Sequence, residues 1–128
     1  MRQIQGRAIK TGRAAGAALV SSEPIGFLGG IDPETGVVIE KGHPLEGRCV
    51  SGRVLVFPTG KGSTVGSFTL YRLACNHKGP AAIVNQRSEA IVAVGAIISD
   101  IPMVDLVDIS QIRDGEHVVV EDGIVTLE

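Results

Sequence analysis

Between residues 53 and 85 the chain sets an apolar run, a glycine-rich turn, a helix-length segment and a second apolar run in succession. That order constrains the fold more than any other feature. Val54-Leu55-Val56-Phe57 is continuous rather than alternating, the mark of a strand end covered on both faces. Pro58 stops it, and Thr59-Gly60-Lys61-Gly62-Ser63-Thr64 turns the chain. A helix is expected from Thr64 to about Asn76, with Ser63 or Thr64 capping its first turn. Phe68, Tyr71 and Cys75 share one stripe of it, and Leu70, Leu73 and Ala74 share another. A helix apolar over so much of its circumference should be mostly buried. Ala81 to Asn85 reads as the next strand. Strand, crossover helix and strand imply parallel pairing with a right-handed connection.

The flanking segments extend this unit. Glu89 to Ser99 is ambiguous, because its Val and Ile content favours a strand and its length favours a helix. If it is helical, an extended segment from Ile101 to Ile109 completes a second crossover. Short extended runs at 2–9 and 15–20 are separated by Gly12 to Gly16. Asp32-Pro33-Glu34-Thr35-Gly36 has the chemistry of a type I turn or hairpin loop. Val37-Val38-Ile39 then resumes a strand, which His43-Pro44-Leu45 breaks. His117 to Glu121 and Ile124 to Leu127 flank Asp122-Gly123, a strong hairpin signal. Hairpins at both ends need antiparallel pairing of their own. The expectation is a layered α/β domain, with a small parallel sheet and a second, antiparallel one.

Composition bounds the partners. The chain has 128 residues and a mass of 13.3 kDa, which suits a single domain spanning 1–128. Size scaling gives a folded surface of roughly 6,400 Å². Hydrophobic residues at 44% and a mean hydropathy of +0.26 do not suit a disordered chain. Aromatic residues are only 3%, with no Trp, so the core must be built from Val, Ile, Leu and Ala. Stacking platforms for single-stranded nucleic acid cannot be assembled from so few rings. A net charge of −2 offers no basic face for nucleic acid or anionic membrane. The longest apolar run, Ala90 to Ile98, falls far short of a membrane span. The first ten residues carry Arg2, Arg7 and Lys10 without an apolar run, so no secretory leader is expected there. Cys49 and Cys75 lack C-x-x-C spacing and read as two buried thiols in a reducing cytoplasm. No grouping of ligands suggests a metal site on this chain.

The stretch from Pro58 to Ser67 carries the chemistry. It follows a buried strand and opens a helix, the place where parallel sheets bind ligands. Its glycines allow close backbone approach, and helix N-terminal N–H groups attract anions. Lys61 adds a cation, and Ser63 and Ser67 add hydroxyls one turn apart. A carboxylate or phosphate site fits, and so does a plain glycine-rich turn with a serine cap. The stretch is not a Walker A loop, because Gly62 follows Lys61. It is not a nucleophile elbow either, because the second glycine, Gly66, stands one place too far from Ser63. Ser63 could act as a base if helix-terminal N–H groups and a cation held it as an alkoxide.

Three motifs occur in order: Phe27-Leu28-Gly29-Gly30-Ile31-Asp32-Pro33-Glu34-Thr35-Gly36, His43-Pro44-Leu45-Glu46-Gly47, and Gly60-Lys61-Gly62-Ser63-Thr64-Val65-Gly66-Ser67. The run from Ile91 to Asp105, ending Ile101-Pro102-Met103-Val104-Asp105, accompanies them. In these motifs the chain resembles the small subunit of the aconitase X family, the swivel-domain half of a two-subunit hydro-lyase. The resemblance covers nearly the whole chain. It implies a swivelling β/β/α domain of three layers with the helices on one side, and it favours a helix at 89–99.

The resemblance also implies a large-subunit partner that holds an iron or iron–sulfur centre, with no cofactor bound by this chain. The metal would activate the leaving hydroxyl, and Ser63 would take the proton from the adjacent carbon. Lys61, Gly62, Thr64 and Ser67 are the candidate substrate contacts. Lys61 stands where the family often has Arg, which keeps the charge and loses the bidentate grip. The best-matching branch dehydrates (R)-5-phosphomevalonate to trans-anhydromevalonate 5-phosphate on the mevalonate route to isoprenoids. A sister branch dehydrates cis-3-hydroxy-L-proline. The substrate is thus a phosphorylated or carboxylate small molecule, in the cytoplasm, with neither nucleic acid nor membrane as partner. A non-catalytic anion-binding module stands as an alternative. A phosphohistidine carrier is a poor one, since His43 is followed by Pro44.

Other residues have plainer readings. His43 shapes a loop or meets the partner, His77 follows a helix end, and His117 lies on a surface strand. Asp32 and Glu34 serve a turn, although Gly29-Gly30 before them lets that loop face the active site or the large subunit. Arg53, beside a buried strand, invites a carboxylate partner.

Overall fold

The structure is a computed structural model and describes residues 2–61 and 65–128. Its strands are β1 (Arg2–Gln5), β2 (Arg7–Lys10), β3 (Arg13–Val20), β4 (Val54–Phe57), β5 (Ala82–Asn85), β6 (Met103–Asp105), β7 (His117–Glu121) and β8 (Ile124–Leu127). Helix α1 (Gly66–Cys75) joins β4 to β5, and α2 (Ala90–Ile98) joins β5 to β6. The strands form one eight-stranded sheet in the order β1-β8-β7-β3-β4-β5-β6-β2. The four strands β3 to β6 run parallel, and the remaining pairs are antiparallel. Both edge strands come from one stretch, 2–10, bent at Gly6. A Cβ there would strike the carbonyl oxygen of Asp105, so the bend needs glycine. The sheet is nearly closed as a result.

Alternation along β4 divides the core. Val54 and Val56 join Ala18, Val84, Val104, Val118, Val120 and Val125 in one cluster. Leu55 and Phe57 join Leu70, Leu73, Val92 and Ala96 in the other, beneath the helices. All four β4 residues are buried, as a central parallel strand requires. The core is aliphatic, with one edge-to-face ring pair, Phe27 against Phe57 at 6.4 Å. The accessible surface is 6102 Å², close to the size expectation.

Both crossovers form, and residues 90–98 are helical. Glu89 decides the second case: its carboxylate accepts the N–H groups of Ile91 at 2.9 Å and Val92 at 3.1 Å. Several expectations fail. No N-terminal hairpin forms, because β2 pairs with β6 while β3 pairs with β7 and β4. Burying Ala18 and Leu19 in the sheet centre outweighs a local turn. Residues 37–39 make only isolated bridges, Ile31 to Val38 and Val37 to Cys49. The extended run after Ile101 shortens to Met103–Asp105, since Leu106 takes φ +60 and ends the strand. Helix α1 is not mostly buried: Phe68 is 66% exposed and Tyr71 43%. Only the side bearing Leu70 and Leu73 meets the core. Cys49 and Cys75 are both exposed rather than buried.

Candidate functional site

The carboxyl ends of β4 and β5 sit side by side, and each leads into a helix. The Pro58 carbonyl accepts N–H groups from Gln86 at 3.1 Å and Arg87 at 3.0 Å, so the two connections are tied together. Ile25 holds the first connection from its other side, donating to the Thr59 carbonyl and accepting from the Lys61 N–H at 3.0 Å. Gly60 fits closely against α2. A Cβ there would lie 2.6 Å from Val92 Cγ2 and 3.0 Å from Glu89 Oε1. The helix cap of α2 thus packs on the connection that leads into α1.

Of the candidate site residues, Ser63, Gly62 and Thr64 lie outside the described residues. Lys61 is described, and its ammonium pairs with the Glu40 carboxylate at 2.9 Å. The pair is about half exposed, so an anion arriving at Lys61 meets a cation already partnered. Ser67 lies in the first turn of α1, where its Cα would be 3.1 Å from a Cβ on Gly95 of α2. Val65 occupies the cap position of α1 and gives it no side-chain cap. Lys61 and Ser67 therefore flank the segment that carries Ser63.

Sequence reasoning missed three supports. Glu89 is the cap of α2, whereas Ser88 is the residue type expected there. Asp105 is 1% exposed, accepts Arg7 Nε at 3.0 Å and Nη2 at 2.7 Å, and accepts the Ser88 N–H at 3.3 Å. Burial pushes its carboxyl up, but the bonds from Arg7 and Ser88 more than reverse this and hold it below the ordinary carboxylate range. The network pins the β5–α2 connection to β2 and β6. Asn85, at the end of β5, is fully buried. Its Nδ2 donates to the carbonyls of Phe57 at 3.0 Å and Val84 at 3.3 Å, and among the described residues its Oδ1 has no partner. No spacing rule marks Asp105 and Asn85, because each is defined by a long-range neighbour, whereas Glu89 caps locally and only its packing on Gly60 is long-range.

The remaining residues sort plainly. His43 is buried and shapes its loop: its Nδ1 accepts from the Leu45 N–H at 3.1 Å, which leaves Nε2–H to donate to the Pro24 carbonyl at 3.1 Å. His77 follows α1 with φ +57, and the exposed His117 lies 2.6 Å from Glu128. The Asp32 carboxylate accepts the Glu34 N–H at 2.9 Å, closing a turn. Arg53 donates to the carbonyls of Ala17 and Ala18 rather than to a carboxylate. Among the described residues no three His, Cys, Asp or Glu side chains are grouped to hold a metal ion. Among them, too, no helix is long and apolar enough to cross a membrane.

Comparison with known proteins agrees with the ordered motifs. Residues 3–128 match the family model of the aconitase X swivel domain. The phosphomevalonate dehydratase small subunit of Methanocella arvoryzae is 56% identical over 130 residues, covering 98% of each chain. The subunit of the same name from Thermococcus kodakarensis is 51% identical, covering 93% of this chain and 90% of the relative. The crystal structure of Thermococcus kodakaraensis aconitase X in its holo-form superposes with a TM-score of 0.98 at 48% identity, covering 100% of this chain and 99% of that one. A UPF0107 protein solved by solution NMR superposes with a TM-score of 0.91 at 48% identity, with 99% of each chain covered. The chain belongs to the aconitase X swivel-domain family.

Proposed function

We propose that this chain is the small subunit of a phosphomevalonate dehydratase. Together with a large subunit, it converts (R)-5-phosphomevalonate to trans-anhydromevalonate 5-phosphate and water. The near-full-length identity of 56% to a small subunit of that name carries the reading. The parallel strand ends support it, since the chain leaves each of them for a helix start, with Lys61 and Ser67 on the way from β4 into α1. The two cores on either side of β4 support a swivelling β/β/α arrangement in three layers.

The reaction takes a proton from one carbon and a hydroxide from its neighbour. Ser63 is the proton acceptor. A serine hydroxyl is a weak base, so its alkoxide needs N–H groups and a cation near it. The sequence supplies both, with α1 starting at Gly66 and Lys61 two residues before the serine. Lys61, Gly62, Thr64 and Ser67 bind the substrate, and a phosphate reaching Lys61 competes with Glu40 or shares its ammonium. The donor set among the described residues does not fit an iron or iron–sulfur centre, which belongs to the large subunit. The complex works in the cytoplasm.

The test is co-expression with the large subunit and assay on 5-phosphomevalonate and on cis-3-hydroxy-L-proline. Turnover of the first and not the second is expected. Turnover of the second alone would replace the substrate. Ser63→Ala should abolish turnover without loss of assembly, and wild-type turnover by that complex would refute the role of Ser63.

A further inference from the structure

Helix α2 reads Ala90-Ile91-Val92-Ala93-Val94-Gly95-Ala96-Ile97-Ile98, with no polar side chain. A helix apolar all round belongs in an interior. Here only Val92, Gly95 and Ala96 are buried, while Val94, Ile97 and Ile98 stay about half exposed. Helix α1 lies against it at Gly95 and adds Phe68, the most exposed large apolar residue among those described. Leu28 and Val65, the residue before α1, are exposed as well, at 50% and 47%. The Leu28 backbone nitrogen lies 4.0 Å from where a Cβ on Gly66 would stand, so the Leu28 loop borders the start of α1. The far side of the molecule differs in kind. There β1, β7 and β8 expose Arg2, Gln3, His117 and Glu121, and Ile124, at 37%, is the one large apolar side chain they expose among the described residues. Exposed apolar residues concentrated on two helices packed side by side mark a surface that another chain covers.

We propose that the outer face of α1 and α2 is where the large subunit docks. The inference rests on the small-subunit reading and deepens it by assigning the surface. Continuity with the candidate site selects this occupant. A reaction shared between two chains needs the partner's wall beside Lys61 and Ser67, the described flanks of the candidate site, and a partner on this face covers Val65, which lies between them in sequence. A second copy of this chain would pair the face with itself about a two-fold axis. That copy would bring only the same donor set, which groups no metal ligands among the described residues.

The experiment measures affinity between the full chain and the large subunit from the same organism by sedimentation, without substrate. The variant Val94→Glu/Ile97→Glu is compared with wild type and with Ile124→Glu, an exposed apolar residue on β8. Circular dichroism confirms that each is folded. The helix-face variant should weaken binding at least about 100-fold, the scale of burying unpaired charge in an apolar interface, and Ile124→Glu less than about threefold. Binding by the helix-face variant within about threefold of wild type overturns the proposal. So does a wild-type chain that dimerises alone through this face, with affinity for the large subunit unchanged in the variant. A complex that needs this face yet fails to turn over 5-phosphomevalonate refutes the reaction and leaves the surface standing. A wild-type chain that does not bind the large subunit removes both.

Discussion

Alanine at Gly60 would add one methyl group where the first connection meets α2. The backbone there is not left-handed, so contact is the whole cost. The new carbon would lie 2.6 Å from Val92 Cγ2, 3.0 Å from Glu89 Oε1 and 3.3 Å from Glu89 Cβ. Carbon pairs rest at about 3.5–4.0 Å, so the overlap with Val92 is about 1 Å. Val92 is 4% exposed, and a β-branched residue in a helix holds one rotamer. Overpacking of this kind costs about 1–3 kcal/mol. Displacing Glu89 from its cap adds about 1 kcal/mol. The expected loss is about 2–4 kcal/mol, or roughly 8–16 °C in Tm for a domain of this size. Gly66→Ala is the matched control. Its Cβ would meet Ile91 Cγ2 at 3.5 Å, an ordinary contact, inside a helix. It should be neutral or up to about 1 kcal/mol stabilising. Urea unfolding followed by circular dichroism reads both, comparing midpoints at constant slope. A Gly60→Ala protein within about 0.5 kcal/mol of wild type, the scale of an ordinary surface change, would refute the close approach.

Two further outcomes follow from the ion pairs. Asp105 is held low by Arg7 and Ser88, so it adds stability above the unfolded carboxyl value of about 3.9 and loses it as pH falls through the lower folded value. Arg7→Gln should raise that folded value and move the acid-unfolding midpoint to higher pH; superimposable acid titrations by circular dichroism would contradict this. Glu40→Gln breaks an exposed pair and should change stability by less than about 1 kcal/mol. In the assembled enzyme it should lower KM for the phosphorylated substrate, because Lys61 loses its competitor; an unchanged KM would confine Lys61 to tying its connection to Glu40.

The crossover units were legible because their signals are local. An apolar run, a glycine-rich turn and a helix-length segment lie within one window, and β4, α1, β5 and the β7–β8 hairpin formed where that pattern put them. The N-terminal strands were not legible as paired. Arg2 to Lys10 carries too little alternation to name a partner, and the partners are β8 and β6, far along the chain. Helix α1 misled for another reason. Its apolar stripes are real, but a pattern cannot say whether a stripe meets its own sheet or another chain, and Phe68 faces outward. Lys61 and Ser67 were found as flanks of a motif. Glu40 and Asp105 were not, since each matters only through a neighbour brought near by folding, and Glu89 was not because glutamate is an uncommon cap.

The order of strands also sets when the chain can finish folding. Residues 2–20 are made before their partners, since β1 pairs with Ile124 to Leu127, β2 with Met103 to Asp105, and β3 on one side with His117 to Glu121. At about 5–20 residues per second, roughly 5–20 s of synthesis separate the first strands from these partners. Until then β3 can be paired only with β4, and its other edge is open. Closure of the sheet is therefore a late, long-range event, governed by loop-closure entropy rather than by local preference. The wait would be a hazard for a strongly apolar first strand. Arg2, Gln3, Gln5, Arg7 and Lys10 keep this stretch soluble while its partners are still being made.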